Sequence, residues 1–384
     1  MKPVLNLAPM EFIDLKTQYQ RYQNELEKAA LRVLRSGRYI LGPEVKELEE
    51  TLATFVGTKY ALGVSSGTDA LLLILKALGI GKGDAVITTP FTFVATAEVI
   101  RRTGAQVVFA DIDPQTFLLT PSSVAKSLAQ ARQKGLRVKA VMPVSLFGLA
   151  AYLPELEAFC RKEGLFLIED ACQSFGAEVN GRKSGSFGKA SATSFFPAKP
   201  LGAYGDAGMV FTNDPELYET IKALRIHGQT QRYLHQYQGF NARLDTLQAA
   251  LLLVKFKHYP EEIELRQEVA NRYRKLLAGL PVTFQHIPKN CLSVYAQFTL
   301  RVPQRDKLVA HLATHGIPTA IHYPRPLHLQ PAFKELGYRE GDFPEAESLA
   351  KEVISLPMHP FLTQADQEKI VSAIAAFYNE KEAV

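Results

Sequence analysis

Two spacings of apolar residues alternate along most of this chain. Over residues 25–34 the apolar positions Leu26, Ala30, Val33 and Leu34 recur at helical spacing, and Gly37 follows as a stop. Residues 38–43 read as a turn and 44–55 as a second amphipathic helix. Further on, short unbroken apolar runs at 85–88, 106–110, 140–144 and 165–168 predict strands, while the stretches near 68–79, 92–102, 121–133 and 153–163 carry helical spacing. Continuous apolar strands separated by helices predict an α/β fold with a mostly parallel sheet covered on both faces.

The same pattern continues through a strand at 191–196, a strand at 209–212 and a helix at 215–225. A long helical pattern then runs from Asp245 past Pro260 to Leu277, and the proline predicts a kink there. That kink divides the chain into a large domain over 1–260 and a smaller α+β unit over 261–384. The smaller unit is predicted to hold a strand at 296–302, a helix at 306–315, a strand at 318–322 and helices to the C-terminus.

Composition narrows the function classes. Of 384 residues, 47% are hydrophobic and 22% charged, as in an ordinary globular protein, and the net charge of +5 is too diffuse for a nucleic-acid stripe. A mild positive balance suits a small anionic substrate. Cys160, Cys172 and Cys291 lie far apart with no pair at metal-ligand spacing, so free thiols in a reducing compartment are expected and no metal is predicted. Residues 1–15 carry Glu11 and Asp14 and lack the apolar core of a signal peptide. The most apolar run, 70–78, contains Lys76 and is too short to span a bilayer, so a cytoplasmic location and no membrane partner are expected.

The candidate chemistry gathers around Lys199. It stands in a loop of Pro, Gly and Ala after the strand at 191–196, with Pro197 and Pro200 stiffening the backbone. It is either a solvated loop lysine or a Schiff-base lysine, and the second role requires an electron-sink cofactor. Glu169 and Asp170 end a buried strand, where ligands of such sheets bind. Asp170 is either a helix cap or the partner of a protonated pyridine nitrogen, whose charge it would favour. Ser65, Ser66, Gly67, Thr68 and Asp69 open an apolar helix, as an ordinary cap or as a phosphate seat that Ser194 would close. Phe91 is either a core residue or a plate for a flat ring.

Taken in order, these stretches resemble the DegT-type nucleotide-sugar aminotransferases, pyridoxal-phosphate enzymes of fold type I. The resemblance runs through Arg38-Tyr39-Ile40-Leu41-Gly42-Pro43, Ser66-Gly67-Thr68-Asp69-Ala70-Leu71, Asp170-Ala171-Cys172-Gln173-Ser174-Phe175-Gly176, the lysine loop, Asn241-Ala242-Arg243-Leu244-Asp245 and Ser355-Leu356-Pro357-Met358-His359-Pro360. It implies pyridoxal 5'-phosphate as cofactor, passing through its amine form in turnover. It also implies that Lys199 forms the Schiff base and shuttles a proton, that Asp170 holds the pyridinium, and that Gln173 bonds the phenolic oxygen. Gly67, Thr68 and Ser194 would bind the phosphate, Phe91 would stack, and Asn241 would reach the phosphate of the neighbouring subunit in a homodimer. Cys172 stands where the family's usual residue is Ala, and it reads as a small buried filler.

Within the family, the resemblance implies amination of a UDP-linked 3-oxo uronate sugar for surface polysaccharide, with L-glutamate as donor. Arg243, His322 and Tyr323 would then bind the sugar, Arg243 because its fork matches a carboxylate. Asn-x-Arg-Leu-Asp and His-Tyr-Pro also resemble relatives acting on neutral sugars, in which case Arg243 pairs with Asp245 or meets a phosphate. The alternatives are a dTDP-3-oxo or 4-oxo-6-deoxyhexose aminotransferase, and a catalytically silent regulatory or binding protein on the same fold.

Overall fold

Strands buried on both faces assemble one seven-stranded sheet in the computed structural model, which describes residues 10–382. The N-terminal reading rests partly on residues 1–9, which lie outside the described residues. The strands are β1 (Tyr60–Val64), β2 (Asp84–Thr88), β3 (Gln106–Phe109), β4 (Arg137–Met142), β5 (Phe166–Asp170), β6 (Ala190–Ser194) and β7 (Gly208–Thr212). Their order across the sheet is β1-β7-β6-β5-β4-β2-β3. All neighbours in the run from β6 to β3 are parallel, whereas β7 lies antiparallel to both β1 and β6. The sheet is therefore mixed but mostly parallel, in agreement with the α/β reading.

Alternation along each strand sends successive side chains to opposite faces. Val86, Val107, Met142, Ile168 and Val210 join one buried cluster, while Ile87, Val108, Val141, Leu167 and Phe211 join the other. The first face is covered by α3 (Gly67–Ala77), α4 (Ala95–Arg102) and α7 (Pro215–Leu224). The second is covered by α2 (Pro43–Val56), α5 (Pro121–Gln133), α6 (Leu153–Glu163) and the first half of α8 (Thr246–Leu276). An N-terminal helix, α1 (Leu15–Ser36), starts where Asp14 Oδ1 accepts the Thr17 amide at 2.9 Å. It packs Leu26, Ala29 and Val33 against Ala250, Leu251 and Val254 of α8.

A smaller antiparallel sheet, β8 (Thr283–Phe284), β9 (Phe298–Arg301) and β10 (Val353–Leu356), has its own core. There Leu300 and Ile354 meet Val269 and Tyr273 of α8, together with residues of α9 (Arg305–Thr314) and α11 (Gln364–Glu382). The remaining long helix of this region is α10 (Pro344–Glu352).

The long helical pattern read across Pro260 forms one 31-residue helix, α8, with the proline inside it. Proline forfeits one backbone bond in a helix interior, but tertiary contacts hold α8 on either side of it. Tyr259 donates to the Phe175 carbonyl at 2.5 Å, and Glu262 accepts the Gln18 amide at 2.8 and 2.9 Å. Residues 318–322 do not form a strand. Pro318 brings no donor to a ladder, and only Ala320 bridges, to Ser355 of β10, a strand that lies where helices were expected.

Candidate active site

The C-terminal ends of β5 and β6, the start of α3 and the segment before Pro324 enclose a cleft of about 490 Å³, within the range of small-molecule sites. Gly67, Thr68, Asp170, Gln173, Ser194, Lys199, His322 and Tyr323, all expected in the site, line it together.

The seat at α3 is built by close approach. Ser66 caps the helix, its Oγ accepting the Asp69 amide at 3.0 Å, which leaves the first amides of the turn without intrahelical partners. A Cβ on Gly67 would sit 2.7 Å from Cys172 Sγ and 2.8 Å from Ser194 Cβ. A Cβ on Gly208 would lie 2.3 Å from the carbonyl carbon of Ser66. Only glycine lets α3 press its N-terminus against β6 and β7, where the helix dipole and Ser194 face the cleft. Cys172 is the filler beneath that contact. Burial and the neighbouring Asp170 carboxylate hold its thiol well above the ordinary range, so it is not an activated nucleophile.

Asp170 ends β5 and is 4% exposed. Its Oδ2 accepts Thr96 Oγ1 at 2.8 Å and its Oδ1 the Cys172 amide at 3.2 Å. Thr92 Oγ1 lies 3.0 Å from Thr96 Oγ1. Since Thr96 spends its proton on Asp170, Thr92 is the donor to Thr96. Among the described residues no cation pairs with Asp170. Glu169, one step earlier on the strand, faces the opposite side. It is held there by Ser145 Oγ at 2.8 Å, Ser184 Oγ at 2.5 Å and the Gly185 amide at 2.8 Å, and burial pushes its carboxyl above the usual range. The two carboxylates are thus separated by the pleat, and Asp170 alone faces the cleft.

Lys199 hangs from a tight turn in which its amide donates to the Phe196 carbonyl at 2.8 Å and Ala203 donates to the Phe195 carbonyl at 2.7 Å. Its amine makes no hydrogen bond or ion pair among the described residues. Burial lowers its pKa below the ordinary lysine value, against the opposing pull of Cys172 and Asp170. Gln173 has a fixed amide: Oε1 accepts the Phe147 amide at 2.9 Å, which turns Nε2 toward the Tyr323 hydroxyl at 3.2 Å.

Three expected residues are not in this group. Phe91 is a correction: it is 1% exposed, with its ring edge-on to Phe147 and Tyr323, so it is core rather than plate. Phe93, two positions later, is 54% exposed and lines the cleft. Asn241 and Arg243 lie on a strap beside β1, where the Ser65 amide donates to the Ala242 carbonyl at 3.3 Å, and neither lines the cleft of the single chain. Arg243 has no ion pair or side-chain hydrogen bond among the described residues, so the expected alternative pairing with Asp245 is not formed. Sequence reasoning also missed Thr92, Thr96, Phe12 and Gln297, all of which line the cleft. The i, i+4 threonine pair was the one available signal.

The donor set fits pyridoxal phosphate. An anion seat at a helix start, a buried carboxylate without a cation and an unpartnered amine face one cavity, matching a phosphate, a cationic ring nitrogen and a carbonyl carbon respectively.

Comparison with known proteins gives the same picture. The model of the DegT/DnrJ/EryC1/StrS aminotransferase family matches residues 20–375. The UDP-2-acetamido-2-deoxy-3-oxo-D-glucuronate aminotransferase of Pseudomonas aeruginosa is 47% identical over 365 residues, covering 95% of this chain and 99% of that protein. A pleiotropic regulatory protein of Geobacillus stearothermophilus is 45% identical over 369 residues, covering 95% and 98%. The crystal structure of a DegT DnrJ EryC1 StrS aminotransferase from Brucella abortus superposes with a TM-score of 0.93 at 44% identity, covering 96% of this chain and 99% of that one.

Proposed function

Because this chain belongs to the DegT/DnrJ/EryC1/StrS aminotransferase family, we propose that it aminates a UDP-linked 3-oxo uronate sugar with L-glutamate as donor. The protein is a pyridoxal-phosphate-dependent sugar aminotransferase of fold type I. When bound, pyridoxal phosphate supplies the electron sink and carries the amino group between the two half-reactions.

The chain's own residues supply the rest. The first amides of α3, with Thr68 and Ser194, bind the phosphate. Asp170, oriented by Thr96, accepts the ring N–H and stabilises its charge. Gln173 offers its amide N–H₂ to the ring's phenolic oxygen. Lys199 would be the covalent anchor and the base: its amine, neutral more readily than an ordinary lysine's, would carry a proton from the donor's α-carbon to the cofactor carbon in one half-reaction and from the cofactor carbon to the sugar carbon in the other. Phe93, which lines the cleft, would cover the ring where Phe91 was expected.

The uronate reading is carried by Arg243. Arg243, half-buried and without an acid partner among the described residues, matches the acid that a uronate would bring, and the Pseudomonas relative is named for such a substrate. His322 and Tyr323 would complete the pocket. Asn241 and Arg243 lie outside the cleft of one chain, so we assign them to a site shared with a second copy. Phe196, exposed at the cleft, is an apolar side chain that such a copy would cover. Among the described residues no helix is long and apolar enough to cross a membrane.

A single-turnover experiment tests this. The amine-loaded enzyme, prepared with glutamate, is offered UDP-3-oxo-N-acetylglucosaminuronate or a neutral dTDP-keto-deoxyhexose, and the cofactor's aldehyde absorbance is followed. Recovery with the uronate alone is expected. Recovery with the neutral sugar alone would move the enzyme to the dTDP-sugar alternative, and no conversion with glutamate would favour a silent regulatory protein.

A further inference from the structure

Behind His322, on the side away from the cleft, runs a chain of hydroxyls that no catalytic role accounts for. Thr299 of β9 and Ser355 of β10 are cross-strand partners. Their side-chain oxygens lie 2.9 Å apart, at 5% and 0% exposure. The Ala320 bridge to Ser355, with amide bonds of 3.1 and 2.8 Å in the two directions, brings His322 alongside the same serine. There Ser355 Oγ meets His322 Nδ1 at 3.1 Å. His322 itself lines the cleft, and among the described residues its Nε2 has no hydrogen-bond partner.

The direction of this chain follows from its far end. Among the described residues Thr299 Oγ1 has one hydrogen-bond partner, Ser355 Oγ. If Ser355 donated to Thr299, the threonine proton would be left without an acceptor in a buried site, a costly arrangement. Thr299 therefore donates to Ser355, and Ser355 spends its own proton on His322. Nδ1 must then be the acceptor nitrogen. Burial disfavours a charged ring, so the single ring proton sits on Nε2.

We infer that Thr299 and Ser355 are positioning residues that lock His322 as its Nε2–H tautomer, making it a hydrogen-bond donor to an oxygen of the keto sugar and not a proton acceptor. The inference rests on the reading of His322 as a sugar-binding residue. It places a specificity element in the small sheet, two residues removed from the cleft wall.

The test combines a spectrum with a double-mutant cycle. In holoenzyme labelled with ¹⁵N-histidine, the His322 ring is identified by its loss in His322→Asn. It should show a protonated Nε2 and an unprotonated Nδ1, and Thr299→Val should turn this into a mixture of tautomers. With UDP-3-oxo-N-acetylglucosaminuronate, Thr299→Val should raise KM about fivefold, the size of one neutral hydrogen bond, with kcat little changed. Thr299→Ser should restore KM. Adding Thr299→Val to His322→Asn should cost nothing further, because the effect acts through the ring. A protonated Nδ1 in the wild type, or additive losses in the double variant, would overturn the inference. Absence of turnover with this sugar in every form would instead refute the substrate reading, while the wild-type spectrum would still decide the tautomer.

Discussion

Replacing Thr96 by valine removes one hydroxyl and almost no volume from a site where that hydroxyl holds a buried carboxylate. Thr96 is 1% exposed and donates to Asp170 at 2.8 Å, with the Cys172 amide at 3.2 Å as the carboxylate's other donor. A hydrogen bond to a charged group contributes about 1.5–3 kcal/mol. The loss divides between the apoprotein, whose buried carboxylate loses a donor, and the holoprotein, where the role proposed for Asp170 also requires it to be aimed at a ring nitrogen. If it fell wholly on binding, cofactor affinity would drop about tenfold to about a hundredfold, at roughly 1.4 kcal/mol per decade. Two measurements on the same variant separate the shares: urea unfolding of the apoprotein, and spectrophotometric titration with pyridoxal phosphate. The two losses should together fall in that range. Thr92→Val, one hydroxyl further from the carboxylate, should lose less on titration. A Thr96→Val protein with wild-type unfolding and wild-type affinity would refute the claim that Asp170 is set by this hydroxyl.

Other outcomes follow from the same geometry. Arg243→Ala should weaken turnover of a carboxylated keto sugar far more than of a neutral one, and equal losses in kcat/KM would remove the uronate contact. Gly67→Ala drives a methyl to within 2.7 Å of Cys172 Sγ; overpacking of this kind costs about 1–3 kcal/mol, so both Tm and cofactor affinity should fall. Lys255 is buried, donates to the Gly202 carbonyl in the loop that carries Lys199, and has its amine pKa lowered by burial from 10.5 to about 8. Between those values the unfolded chain holds the extra proton, so this group's contribution to stability rises with pH across the window and is lost as pH falls through about 8. Lys255→Met should flatten that rise in urea titrations from pH 7.5 to 10.5, and an unchanged slope would contradict the burial of the charge.

How much of this was legible in the sequence depends on where each residue's partners lie. Strand interiors such as Val107, Val108 and Leu167, Ile168 could be read because burial on both faces leaves an uninterrupted apolar run. Lys199 and Asp170 stood out because polar residues after such runs need a reason to be there. Phe91 and Phe93 are both aromatic in a loop where strand alternation has ended, so local pattern gave no ground for choosing the one that faces the cleft. Thr96 looks like an ordinary helix residue until the fold brings it to Asp170, 74 positions away. The helical spacing through Pro260 could be read, whereas the anchoring of Glu262 by Gln18 and Tyr22 of α1 is a tertiary contact that local propensity does not encode. Residues 318–322 were misread for a related reason, since their only pairing is one bridge to a strand still to come in the chain.

Lys199 is proposed as the amine that holds the cofactor. Reduction of the holoenzyme with borohydride, followed by peptide mass mapping, tests this directly. A pyridoxyl-phosphate mass increment on the peptide carrying Lys199, absent after treatment with glutamate, is the predicted result. An increment on any other lysine, or none in a protein that binds the cofactor, would contradict it.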